Sequence, residues 1–229
     1  MALRNEKIFT RAGRSSAAID VTGAALVSNL SEGVCIEGKN SVALTACDLT
    51  ADNTQCNGSA TFLDTIMIYQ SMSGDADAGT SSFTMTGGSL TSLSGHVFHV
   101  TNTHAVITLS SVEIDNEDDG WSGAGSHAEL YAAAQTLSGA ILVGDNVTLS
   151  LTLSDGSSLT GSVSGEIANS KGETISSEVG EVSLTLDETS TWTLTADSYV
   201  TSFTGDASQI IANGYTLYVS GTALEGTQA

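Results

Sequence analysis

The chain has 229 residues, 40% apolar and only 14% charged, with 26 acidic against 6 basic side chains and a formal net charge of −20. A surface of that sign repels nucleic-acid phosphates, anionic membranes and polyanionic sugars, so no nucleic-acid partner is expected. Ser, Thr, Gly and Asn take the place of the missing charges and proline is absent, a composition suited to short strands and tight turns rather than long helices.

In chain order, residues 1–16 are basic and polar and read as an N-terminal segment or cap. They lack an apolar core of the kind a signal peptide carries. No later stretch reaches the ~18 apolar residues of a membrane-spanning helix, so membrane insertion is not expected. From residue 17 to residue 221 one phrase recurs. Thr84–Gly95 (TMTGGSLTSLSG) is echoed at 43–52, 108–117, 152–161 and 183–196. Each copy alternates aliphatic and small polar residues, then runs out in Gly, Ser, Thr, Asn or Asp. Such a segment cannot bury its apolar side alone and must stack on its neighbours.

Unit starts at Val34, Met67, Phe98 and Tyr131 recur at a nearly constant interval. The interval is too long for a hexapeptide coil, and the units are too polar for paired helices. It predicts a broad coil of three short strands joined by turns. Within a coil, Val42 and Leu44, Phe83 and Met85, Ile107 and Leu109, Leu149, Leu151 and Leu153, and Val182, Leu184 and Leu186 are the expected core columns. The residues between them point outward, because side chains alternate along a strand. Gly87, Gly88 and Gly156 fit the corners. Four insertions, 53–64, 74–80, 116–126 and 166–178, are expected to leave the stack as loops and to carry any ligand contacts. Trp192, Tyr199, Phe203, Tyr215 and Tyr218 are expected to close the end of the core, and 222–229 to form a flexible tail. The whole chain is read as a single domain.

The phrases GVCIEG (33–38), CDLT (47–50), YQSMSGD (69–75) and TNT (101–103), with the closing run 184–219, resemble extracellular right-handed parallel β-helix proteins. The similarity is to the pectin-lyase-like and adhesin-like kind found in anaerobic Gram-positive bacteria. The resemblance implies an all-β solenoid with long loops between coils, displayed at the cell surface or secreted. It implies an adhesive or carbohydrate-binding scaffold without enzymatic activity, whose partner is a glycan or a host or cell surface. Two alternatives stand beside it. One is a polysaccharide-cleaving glycoside hydrolase of the β-helix type; the other is a self-assembling unit whose open ends pair between chains.

The candidate chemistry is sparse. The hydrolases of this fold use clustered aspartates. Asn102-Thr103 and Asp118-Asp119 echo fragments of that set, but His104 stands where an Asp is needed, and the basic substrate-holding motif is missing; no catalytic residues are assigned. Trp121 and Tyr131 offer ring faces for a sugar, and Asn102, Asp118 and Asp119 offer polar groups to orient it. Asp75 and Asp77, alternating and followed by Gly79, form a fragment of a calcium loop that admits a weak extracellular site; no other cofactor is expected. His96 and His99, three apart on a strand, should face opposite sides, and with His104 and His127 they show no zinc-like spacing. Thr84 with Thr86, and Thr193 with Thr195, have the spacing of an ordered threonine ladder, yet they do not recur in equivalent positions of each coil. Cys35 and Cys47 sit at apolar positions as buried thiols, with a disulfide involving Cys56 as the alternative.

Overall fold

The computed structural model describes residues 2–4, 8–10, 16–58, 60–73, 76–116, 121–124 and 126–224, with the backbone path alone at 2–4, 8–10, 116 and 121–124. These residues are almost entirely β, arranged in long parallel sheets. One 3₁₀ turn, Ala207–Gln209, is capped by Asp206. No helix among the described residues is long and apolar enough to cross a membrane.

The largest sheet has eleven strands, and its order along the main path follows the chain. Ala18–Thr22, Ser41–Asp52, Thr80–Ser94, His104–Ser110, His127–Ala133, Thr148–Ser154, Glu181–Leu186 and Ser202–Thr204 lie side by side and parallel. A seven-stranded sheet runs beside it through Ile8–Thr10, Val34–Glu37, Asp64–Tyr69, His96–Thr101, Trp121–Ala124, Ile141–Val143 and Val163–Ser164. A four-stranded sheet links Thr136–Ser138, Ser158–Gly161, Thr191–Leu194 and Ile210–Ile211. From Val34 to Ala124 the chain passes back and forth between the first two sheets, and from His127 to Ser164 it visits all three in rotation, which makes the arrangement compatible with a parallel solenoid.

The register explains the sequence pattern. Val42, Phe83, Ile107, Leu130, Leu151, Leu184 and Phe203 are paired in one column, and Leu44, Met85, Leu109, Ala132, Leu153 and Leu186 in the next. Apart from Phe203, which is partly buried, all of them are buried. The expected core columns therefore form. Phe83 meets Phe98 of the seven-stranded sheet edge to face at a centroid distance of 5.5 Å, joining the two sheets through the core. The interval is less uniform than the unit starts suggest. Val34, Ile66 and Phe98 are paired at equal steps along the chain. Met67 pairs one position later, with Cys35 and His99, and Tyr131 belongs to the other sheet. From Phe83 through Ile107 and Leu130 to Leu151 each step is shorter than the one before, and all are shorter than the two steps from Val34 to Phe98. The longer steps contain the insertions.

At the corner leaving the largest sheet, successive rungs place Ala46, Gly87, Ser111, Ala134 and Asp155 at positive φ. Gly88 follows at φ +80, and a β-carbon there would stand 2.0 Å from the backbone oxygen of Cys47, whereas one on Gly87 meets nothing. Gly87→Ala is therefore expected to cost about 1 kcal/mol from the left-handed backbone alone, and Gly88→Ala about 2–3 kcal/mol because the strand pairing must also open. Equal urea midpoints for the two variants would refute this.

Described residues near both ends join the sheets. Ala2–Arg4 and Ile8–Thr10 pair with Ala25–Ser28 and Val34–Glu37, so the N-terminal segment continues the sheets. Thr222–Leu224, in the expected tail, folds back antiparallel on Leu217–Val219, with Leu224 against the core. Trp192 and Phe203 close the interior as expected, but Tyr199 stacks on Tyr218 at 5.2 Å and Tyr215 is exposed. No disulfide joins the three cysteines; Cys35 and Cys47 are buried and Cys56 is half-buried.

Candidate functional site

Two of the insertions meet. Ser170, in the 166–178 insertion, donates its backbone N–H and its hydroxyl to the carbonyl oxygen of Thr61 at 2.9 and 2.8 Å. Its hydroxyl also lies 3.3 Å from Cys56 Sγ. The 166–178 segment is not a plain loop, since Ile167–Ala168 and Thr174–Ser176 pair antiparallel within it. Together the insertions wall a groove of about 800 Å³ over the outer side of the seven-stranded sheet. Its floor carries Met67, Tyr69, His99 and Thr101, one wall carries Asn57, Gly58, Ala60, Thr61 and Phe62, and Ile175 stands opposite. Gln70, Met72 and Asn102 lie at the rim.

The groove is held in shape by polar contacts beneath it. Tyr69 donates its phenol to Glu37 Oε2 at 3.4 Å, and Ser71 donates its hydroxyl to Glu37 Oε1. His99, 4% exposed, places Nδ1 3.2 Å from the fully buried Asp64 carboxylate. A carboxylate only accepts, so the ring N–H donates. Phe62 lies against His99 with ring centroids 4.6 Å apart and 6.1 Å from His96. The two histidines thus flank one ring rather than facing opposite sides. Between them Val97 and Phe98 are both buried. Asn102, at φ +54, donates its amide to the carbonyl of Gln70 at 2.9 Å and approaches Met72 Sδ at 3.6 Å. Met72 is 93% exposed and Ile175 42% exposed, apolar surface gathered at one opening.

The expected ligand residues are only partly gathered. Asn102 lies at the groove, and Trp121 is in the same sheet, its Cα paired with those of Phe98 and Ile141. Tyr131 lies on the largest sheet instead. Asp118, Asp119 and Asp75 fall outside the described residues. Asp77 is engaged by Lys39, whose ammonium sits 2.9 Å from its carboxylate and whose N–H reaches its carbonyl at 3.1 Å; a neighbouring positive charge competes with a calcium ion there. Phe62 and Ile175 carry no motif, and their only sequence signal is an apolar residue within an insertion; Tyr69 and Met72 lie in the phrase 69–75, and His99 stands out only as one of the histidines.

Tyr131 belongs to a second cluster. On the outer face of the largest sheet, Thr80, His104, His127 and Thr148 form one column. Glu129 faces outward beside it, with Oε1 2.9 Å from His104 Nε2 and 3.8 Å from His127 Nε2. Tyr131 donates its phenol to Glu129 Oε2 at 2.5 Å. That bond, with the one from His104, holds the Glu129 carboxyl below its ordinary pKa, and the same bond raises the phenol of Tyr131. One column further, Thr84, Thr108, Thr152, Thr185 and Thr204 do align, with Tyr131 interrupting them. The threonine ladder thus recurs more than the spacing suggests, but it is broken in the middle.

Comparison with known protein families, curated proteins and solved structures finds no match.

Proposed function

We propose that the chain is a right-handed parallel β-helix that acts as a non-enzymatic, surface-displayed or secreted scaffold and binds a neutral glycan in the groove over Tyr69 and Asn102. The observation that carries this reading is the groove itself. Two insertions far apart in sequence are tied together at Ser170 and Thr61, and they set ring, thioether, amide and hydroxyl groups around one opening. Apolar faces that stack on a sugar ring and amides that orient hydroxyls are the groups such a ligand uses, and the volume lies within the range of small-ligand sites. The net charge of −20 selects against uronate-rich or sulfated chains. The rotation of the chain through three strand columns supports the β-helix assignment, and the surface location follows from the resemblance of the phrases above.

A glycan array probed with the full chain tests this. Binding to neutral oligosaccharides is expected, with Tyr69→Ala and Asn102→Ala each weakening it about 10-fold or more, as befits groups that stack on or orient the ligand. Ligands that remain bound to both variants would place the site elsewhere. Release of reducing ends from any polysaccharide would favour the hydrolase.

A further inference from the structure

The histidine cluster lies on a different sheet from the groove, and its chemistry is different. We propose that His104, His127 and Glu129 form a binding site for one divalent transition-metal ion of the zinc class. Parallel stacking creates the site. His104 and His127 are separated in sequence by a whole rung but are direct partners in adjacent strands. Glu129 lies two positions beyond His127, on the same face of the same strand. Their ligating atoms all fall within 4.8 Å of one another.

The distances suit a shared ion. Zinc binds imidazole nitrogen and carboxylate oxygen at about 2.0–2.2 Å, so tetrahedral ligand atoms stand about 3.3–3.5 Å apart. The observed separations from Glu129 Oε1 to the two Nε2 atoms, 2.9 and 3.8 Å, straddle that spacing.

The surrounding contacts set each ligand in the form a metal requires. Thr80 Oγ1 lies 3.3 Å from His104 Nδ1, and Thr148 Oγ1 contacts His127 Nδ1. When an ion replaces the Nε2–H that His104 gives to Glu129, the neutral rings take the Nδ1–H tautomer, the hydroxyls accept from Nδ1–H, both Nε2 lone pairs serve the ion, and Tyr131 holds the far oxygen of Glu129. Such outer contacts fix tautomer and orientation at metal sites. The rings of His104 and His127 are 4.5 Å apart, where two imidazolium charges would repel each other and a bound cation would join two neutral rings. Two imidazoles and one carboxylate favour zinc, cobalt, nickel or copper over calcium and magnesium, which prefer oxygen alone. The ligands are 25–48% exposed, so the fourth position opens to water.

The test is titration of the chelator-treated full chain with cobalt(II) chloride, read by visible absorption, followed by displacement with zinc chloride. One equivalent is expected, giving a band of low-symmetry intensity that zinc removes. The band should be lost in His104→Ala and in His127→Ala and unchanged in Cys56→Ser, which removes the one partly exposed thiol. Tyr131→Phe should keep the stoichiometry and weaken affinity about 10–100-fold, the effect of losing a partner that orients a ligand. His104→Gln and His127→Gln, which retain a polar side chain in the column, serve if an alanine variant folds poorly, and they should lose the band too. The proposal is overturned if the wild-type chain takes up no cobalt or zinc. Equal uptake by the His104→Ala/His127→Ala double variant overturns it as well.

Discussion

Trp192→Ala is expected to lower stability by about 3–5 kcal/mol, the range for emptying a fully buried aromatic site. Trp192 is 0% exposed. It sits in the four-stranded column between Leu159 on one rung and Ile210 on the next, and its indole N–H donates to the carbonyl of Gly161 at 3.0 Å. That carbonyl also accepts from the N–H of Thr195 at 3.1 Å, so the loss is dominated by the cavity rather than by an orphaned acceptor. Trp192→Phe keeps most of the volume and gives up the hydrogen bond, and should cost about 1–1.5 kcal/mol. In a stacked array each rung is stabilised mainly by its neighbours. The alanine variant should therefore open from its C-terminal end, with amides of 181–224 exchanging before those of 41–154. Urea denaturation followed by circular dichroism, with hydrogen exchange, measures both. A loss below about 1 kcal/mol would mean that the ring is not a core residue.

Trp192 also marks how far the sequence could be read. Period-two alternation identified the aliphatic columns, because an inward residue must be apolar on every rung and a strand offers no other periodicity. The corners were legible at the glycines, Gly87, Gly88 and Gly156, all at positive φ. The residues equivalent to Gly87 on four other rungs are Ala46, Ser111, Ala134 and Asp155, also at positive φ, and the two alanines announce no turn by their identity. They adopt the left-handed conformation because the strands on either side are fixed by pairing, which overrides the local preference by about 1–2 kcal/mol. The rung length was blurred for a related reason. Insertions lengthen some steps, so the even, long steps from Val34 to Phe98 and the shorter, shrinking steps from Phe83 to Leu151 coexist in one chain.

The sites were harder to read, since each is formed by residues far apart in sequence. His104 and His127 show no metal-like spacing along the chain, yet they become neighbours once the register is known. The insertions were recognised as breaks in the rhythm, but nothing in them signals that Ser170 would reach Thr61. Spacing rules for ligands assume one helix or one loop. In stacked rungs the relevant spacing is the length of a rung, and it changes from rung to rung.

The buried pair beneath the groove joins stability to binding. His99→Ala is expected to cost about 1–3 kcal/mol, the range for taking a hydrogen-bond partner away from a buried polar group. His99 lies 3.2 Å from a fully buried carboxylate and against the ring of Phe62, so the substitution removes both a hydrogen-bond partner and a wall contact. Asp64→Asn keeps the shape and removes the charge, and it should cost less. In a double-mutant cycle the His99→Ala/Asp64→Asn variant should recover part of the sum, with a coupling of about 1–3 kcal/mol. A coupling near zero would show that His99 acts only by packing. The same variants separate the fold from the proposed ligand. Asp64→Asn leaves Tyr69 and Asn102 in place and should retain glycan binding. His99→Ala lets Phe62 shift toward the vacated floor and should lose it, even at temperatures where the chain remains folded.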